Sequence, residues 1–174
     1  MRKVWQNRVP LSALTVAVAI LCVLAAACSG SNTSNPDVTA KVGESAKTGN
    51  FEASITSVYS IGAFGSSFST QRPADGATFV VVRSTLKNIS GKPQSLMLAS
   101  IKLADAQGTV YEQAITPTMS YKIEQGIDTK SISELNPGLA EKDATLFEVS
   151  KELWNKPGWK VIVDADKMIA FTIK

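Results

Sequence analysis

Histidine is absent from this 174-residue chain, and cysteine occurs only twice. The missing imidazole excludes a Ser-His-Asp or Cys-His arrangement, a histidine-ligated zinc and histidine acid–base chemistry near neutral pH. Both cysteines, Cys22 and Cys28, stand near the N-terminus. Neither a disulfide-stapled core nor a cysteine-only metal site is therefore available further along. Also missing are a Walker loop, a G-x-S-x-G turn and a dinucleotide fingerprint leading from strand to helix. From about residue 41 onward no segment sustains a 3.6-residue period, and no internal repeat is found. The length fits one domain.

What is present begins with targeting. Arg2, Lys3 and Arg8 form a basic region without an acid, and Val9 to Ala27 is almost wholly apolar before Leu24-Ala25-Ala26-Ala27-Cys28 closes the series. Positive flank, apolar stretch and small residues at a cut site are the parts of a secretory signal. Ending in cysteine, the segment resembles the lipobox of bacterial lipoproteins, with Ala25 where leucine is typical. Small Ala27 before Cys28 suits a peptidase pocket, whereas bulky Leu21 precedes Cys22. Residues 1–27 are thus expected to be a lipoprotein signal peptide and Cys28 the lipidated first residue of the mature chain. An uncleaved membrane-spanning anchor, for which the apolar run is just long enough, and secretion without lipid are the alternatives. A diacylglycerol thioether with an amide-linked acyl chain such as palmitate supplies the two or more chains that stable anchoring needs. The expected location is the cell membrane or outer membrane, on the extracytoplasmic side.

Cleavage removes three of the 18 basic residues and none of the 15 acids, so 15 of each sign remain and the +3 belongs to the signal. No basic patch argues for nucleic acid. Residues 28–40 after the cut, Ser29 to Ala40 in particular, are small and polar and read as a flexible tether. Asn32-Thr33-Ser34 and Asn88-Ile89-Ser90 fit the glycosylation pattern, which we take as chance.

The remainder, residues 41–174, reads as one all-β domain. Phe51, Ala53 and Ile55 alternate with polar neighbours, and Phe79 to Lys87 is the strongest β segment, with Val82 and Leu86 on one face and Arg83, Thr85 and Lys87 on the other. Asn88 to Pro93 is a turn. Leu96 and Leu98 start another strand, continued or followed by Ile101-Lys102-Leu103, and Asp105 to Gly108 turns back into Thr109-Val110-Tyr111. Residues 112–134 read as a loop with a short helical turn. Asn136-Pro137-Gly138 leads into Thr145 to Val149, Ser150 to Trp154 fits one helical turn, and a last hairpin joins Trp159–Val163 to Met168–Ile173. Short strands with turns about every ten residues predict an antiparallel sandwich or barrel. Val82, Leu86, Leu103, Phe147 and Val161 are expected in its core.

Taken together, Asp75 to Val82, Leu86 to Ser90, Ile101 to Tyr111, Leu135 to Gly138 and Leu146 to Val149 resemble a bacterial extracytoplasmic domain of unknown function. That family is sometimes mislabelled a telomeric repeat-binding factor. The resemblance implies an immunoglobulin-like sandwich similar to a mycobacterial immunoprotective antigen, preceded by a lipoprotein signal and tether, with no catalytic residues to carry over.

Candidate chemistry is sparse. Ser84-Thr85-Leu86-Lys87 has the S-x-x-K spacing of a serine–lysine dyad, but on a strand positions three apart point to opposite faces. Asp164 and Asp166 offer oxygens to calcium but lack the further acids and glycine of a calcium loop, and Lys167 repels a cation. No catalytic residue, metal ligand or cofactor is therefore assigned. The loop from Ser60 to Pro73 sets Phe64 and Phe68 among small residues between two strands, as binding loops on sandwiches often do. The rings either anchor a partner or fold back over the open end of the core. The expected function is non-catalytic binding at the cell envelope, to a protein, peptide or glycan, with the membrane held through the lipid. A small ion-binding or carboxylate-dependent hydrolytic domain is the alternative.

Overall fold

Four consecutive apolar residues, Phe79-Val80-Val81-Val82, are all buried, which a strand achieves only when both faces of its sheet are covered. That strand organises the fold. The computed structural model describes residues 36–127 and 134–173, so the signal segment, Cys28, Asn32 and most of the expected tether lie outside the described residues. In chain order the elements are β1 (Val38–Lys41), β2 (Ser45–Thr48), β3 (Phe51–Ile61), β4 (Ala77–Asn88), β5 (Gln94–Ser95), a 3-10 turn (Leu96–Leu98), β6 (Ser100–Ala104), β7 (Val110–Tyr111), α1 (Ile115–Glu124), β8 (Glu134–Leu135), β9 (Ala140–Ser150), α2 (Lys151–Trp154), β10 (Lys160–Asp164) and β11 (Met168–Thr172).

Two sheets face each other. One has the order β2-β3-β4-β9 and the other β1-β11-β10-β6-β7, while β5 and β8 form a small pair. Strands β3, β4 and β9 opposite β11, β10, β6 and β7 follow immunoglobulin wiring without its strand D. The β-sandwich is as expected, with one correction: β1 runs parallel to β11, so that sheet is mixed rather than purely antiparallel. The core between the sheets sets Ile55, Val80, Val82 and Phe147 against Leu103, Val161, Ile169 and Phe171. Each such side chain contributes about 1.5–3 kcal/mol by leaving water. Trp154 and Trp159 close one edge, their ring centroids 5.2 Å apart, and the Trp159 indole donates to the Leu153 carbonyl at 3.1 Å.

A second apolar cluster lies on the outer face of the first sheet, where Phe79, Val81, Ala144 and Leu146 meet Tyr121 of α1. A β-bulge at Thr56 makes this possible. Phe51, Ala53 and Ile55 point inward, but the pairing skips one residue between Ile55 and Ser57. Val58 then pairs with inward-facing Val82, and Tyr59 with outward-facing Val81. One extra residue thus sends Tyr59 outward to meet α1.

Several expectations need correcting. Strand β1 begins at Val38, inside the stretch read as tether, because Val38 and Ala40 pack on the core and the Asp37 backbone and carboxylate both bond Met168. Leu96 to Leu98 form a 3-10 turn, not a strand, since the Ser95 hydroxyl accepts from the Met97 N–H and caps it. Leu86 is half-buried rather than core, for it lines an opening between the sheets. Residues 115–124 are a three-turn helix where a single turn was expected. Its end is fixed by a Schellman motif: Gly126 takes φ 62°, its N–H bonds Ile123, and the Ile127 N–H bonds Lys122.

Tight hydrogen-bonded turns complete the frame. The Asp105 carboxylate accepts from the backbone N–H groups of Gln107 and Thr109 at 3.0 and 2.9 Å and from the Tyr111 hydroxyl at 3.2 Å. Burial alone would push this carboxyl up, but the bonds from Thr109, Tyr111 and Gln107 hold it below the ordinary aspartate value. The Tyr111 hydroxyl is pushed up by burial and by its bond to Asp105.

Candidate functional site

The loop that joins β3 to β4 treats its two aromatic rings differently. Phe64 and Gln71 exchange two backbone bonds at 3.1 and 2.8 Å, and Ser66 accepts from the Ser69 N–H and the Thr70 hydroxyl. Gly65 takes φ 106°, where an added Cβ would collide with the Ser69 carbonyl, so only glycine fits. This closed loop lays Phe64 edge-on against Phe79 and Tyr121, at 5.7 and 5.3 Å. Phe68 is left at the tip, 99% exposed. Phe64→Ala should therefore lower stability by about 2 kcal/mol, less than a fully buried phenylalanine loses. Phe68→Ala should leave the melting temperature unchanged; thermal melts of the two variants separate their roles.

The other candidates resolve into structure. Ser84 is buried on the inner face of β4 and Lys87 is exposed. The Asp166 carboxylate accepts from the Asn50 N–H at 2.7 Å and so ties the last hairpin to the β2–β3 turn. Among the described residues, no group of three His, Cys, Asp or Glu is placed to hold a metal ion.

A cleft that the sequence reading missed lies where the sandwich opens beside β9. This strand is a sheet edge, and α1 closes part of it: the Ala114 N–H donates to the Leu146 carbonyl at 2.8 Å, and the Thr118 hydroxyl accepts from the Leu146 N–H at 3.0 Å. From that edge α1 reaches to both faces. Outward, Tyr121 and Tyr59 share a 2.6 Å hydroxyl bond, and Arg83 donates to Tyr59, Tyr121 and Gln125 at 3.3, 3.2 and 3.0 Å. Burial pushes both tyrosines up. For Tyr59 the bonds with Tyr121 and Arg83 outweigh it and leave the hydroxyl below the ordinary value, whereas Tyr121 ends above it. The bonds to the two tyrosines raise the Arg83 guanidinium further. Inward, the Lys122 ammonium is buried and meets the Asp143 carboxylate at 2.6 Å.

The cleft inside has a volume of about 390 Å³. Its floor is the inner face of β4 and β9 at the point where the core turns polar: Ser84, Leu86, Asp143 and Thr145. Its mouth is apolar, formed by Leu96 and Met97 of the 3-10 turn and by Ile115 and Met119 of α1. Met97 is 72% exposed and Ile115 67%. With Ile123, also exposed, Ile115 and Met119 repeat every four residues along one side of the helix. That spacing was the available signal; Pro117 in the first turn disguised it, although proline is tolerated there. A small apolar mouth over a few polar groups is the usual form of a ligand site.

The chain matches known sequences and folds. The profile of a domain of unknown function, DUF4352, matches residues 40–155. An uncharacterized protein, YxkC, of Bacillus subtilis is 33% identical over 133 residues, which cover 75% of this chain and 74% of that one. A conserved hypothetical protein from Bacillus anthracis, solved by crystallography, superposes with a TM-score of 0.67 at 26% identity, covering 75% of this chain and 94% of its own. An uncharacterized beta-sandwich protein from Clostridium difficile superposes with a TM-score of 0.52 at 12% identity, over 79% and 95% of the two chains, a likeness of fold alone.

Proposed function

The chain belongs to the DUF4352 family of domains of unknown function, and from that premise we propose that it is a lipoprotein, anchored through Cys28, whose sandwich domain binds a partner at the cell envelope without catalysing a reaction. One observation carries the binding role: three exposed apolar side chains, Met97, Ile115 and Met119, line the mouth of one cleft. The basic, apolar and small-residue series that ends at Cys28 supports the anchor.

The experiment follows both parts in intact cells. Cys28→Ser should release the protein from the membrane fraction or leave it unprocessed; normal processing with unchanged membrane retention would sink the anchor. A photocrosslinking residue placed at Met97 should give discrete adducts, and one placed at exposed Lys47 on β2 should not. Equal labelling at both positions would remove the binding role.

A further inference from the structure

We infer that the cleft beside β9 takes a neutral ligand that joins an amide to a compact apolar group. The inference rests on the binding role proposed above and names its ligand class. Ser84 and Thr145 are 7% and 4% exposed, both line the cleft, and neither hydroxyl has a hydrogen-bond partner among the described residues. No fully enclosed side-chain oxygen among those residues lacks a partner, so both hydroxyls reach the open space of the cleft. Buried hydroxyls on a sandwich wall are costly unless something bonds them. Lys122 adds to the demand. An ammonium carries three donors, and Asp143 is its ionic partner here.

Charge then selects the head group. Lys122 alone among the lining residues is basic, and Asp143 already neutralises it at 2.6 Å. Glu112 pairs with Lys102 at 3.8 Å, so an added carboxylate or phosphate finds no free cation in the cleft. A full cation would in turn oppose Lys122 at the floor. A neutral amide meets both conditions, because its carbonyl accepts from Lys122 and the hydroxyls while its N–H donates back to a hydroxyl or carboxylate oxygen. The mouth supplies the other half. Met97 and Met119 are unbranched and polarisable, and such side chains mould around apolar groups of varied shape.

The test uses the full chain in phosphatidylcholine nanodiscs with methyl-labelled methionine, read by NMR. N-acetyl-L-leucinamide should shift the Met97 and Met119 signals and spare Met168 on β11, with a dissociation constant on the order of 1–10 mM for so small a probe. N-acetyl-L-leucine, the anionic counterpart, and L-leucinamide, the cationic one, should bind at least about fivefold more weakly, as expected for loss of one good hydrogen bond. N-hexylacetamide, a straight-chain amide, identifies the source: equal binding assigns the site to acyl amides in general, and weaker binding assigns it to peptide side chains. Ser84→Ala and Thr145→Val should each weaken the neutral probe while leaving the melting temperature unchanged or higher, since each removes an unpaired hydroxyl. Binding of either charged probe within about fivefold of the neutral one or tighter, or no shift with either amide at its solubility limit, would overturn the inference. In that case retained crosslinks at Met97 would keep the binding role and reject only the ligand class.

Discussion

Replacing Phe147 with alanine should destabilise the domain by about 3–5 kcal/mol, the range for a fully buried phenylalanine. Its ring has no exposed surface, and its strand neighbour Val80 is equally enclosed. Around it stand Ile55, Val82, Leu103, Val161 and Phe171, contributed by both sheets. Held by β4 along one side and by the Ala114 and Thr118 bonds at Leu146 on the other, β9 cannot slide inward to fill the space, so the cavity cost adds to the lost burial. A domain of this size holds about 5–15 kcal/mol in all, so the variant loses a large part of its margin. Urea unfolding followed by tryptophan fluorescence should show a lower midpoint at an unchanged slope. A loss as small as that of Phe68→Ala would mean that Phe147 is not where the sheets meet.

The second large effect is expected at Asn88, a buried polar residue at the end of β4. Its side-chain oxygen accepts from the backbone and hydroxyl of Ser90, both at 2.8 Å, and its amide donates to the carbonyls of Lys92 and Leu135, both at 2.7 Å. One side chain thus ties the following turn to β8. Asn88→Ala takes the partner from the Ser90 N–H and the Leu135 carbonyl, while the Lys92 carbonyl keeps the Ser90 hydroxyl at 2.9 Å. The change should cost about 3 kcal/mol, given 1–3 kcal/mol for each buried group that loses its partner. Asn88→Asp should be worse at neutral pH, because a carboxylate then faces two carbonyls that need donors. The sign with pH follows. Facing those carbonyls, the new carboxyl is raised in the folded state above its unfolded value of about 3.9. The folded protein then binds more protons than the unfolded one, and stability falls as pH rises from about 4 through the folded value. Acidification should therefore narrow the gap between Asn88→Asp and Asn88→Ala, both of which share the acid dependence of Asp105; urea midpoints of the two variants at two pH values decide it. The same burial withholds Asn88 from glycosylation while the domain is folded.

Elements held by local signals were legible. Alternation in Phe51–Ile55, the Asp105–Gly108 turn and the hairpin around Asp164–Lys167 all lie where the residues place them. Even the outward Lys87 and inward Ser84 follow from period-2 reasoning. Elements set by distant partners were not. Tyr59 shares parity with Ile55, and only the skipped residue at Thr56 sends it outward, a choice made by pairing with Arg83 and Val82. Helix α1 has weak amphipathicity because it straddles a strand edge, with Tyr121 serving one face of the sheet, Lys122 the other, and apolar Ile115 and Ile123 exposed. The apolar residues that recur every four positions, Ile115, Met119 and Ile123, are exposed rather than buried against the core, so the helix lacks the usual core-facing stripe. The cleft was hidden for the same reason, since its walls come from β4, β6, β9, the 3-10 turn and α1. Of the two rings singled out in the loop, composition could not say that Gly65 would turn one under the helix and leave the other outside.

The pairing of the first strand with the last has a kinetic consequence. Val38 lies beside Ile169, the Thr48 hydroxyl bonds the Lys167 backbone, and the Met168 N–H bonds the Asp37 carboxylate. None of these contacts exists until nearly the whole chain has been made. Closing so long a loop adds only slowly growing entropy, yet such non-local pairing places this domain among slow folders. Strands β2, β3 and β4 can pair in chain order, but β1 cannot pair until β11 has been made. Until β11 arrives, β1 lacks its strand partner and β10 has only β6, and the second sheet stays incomplete.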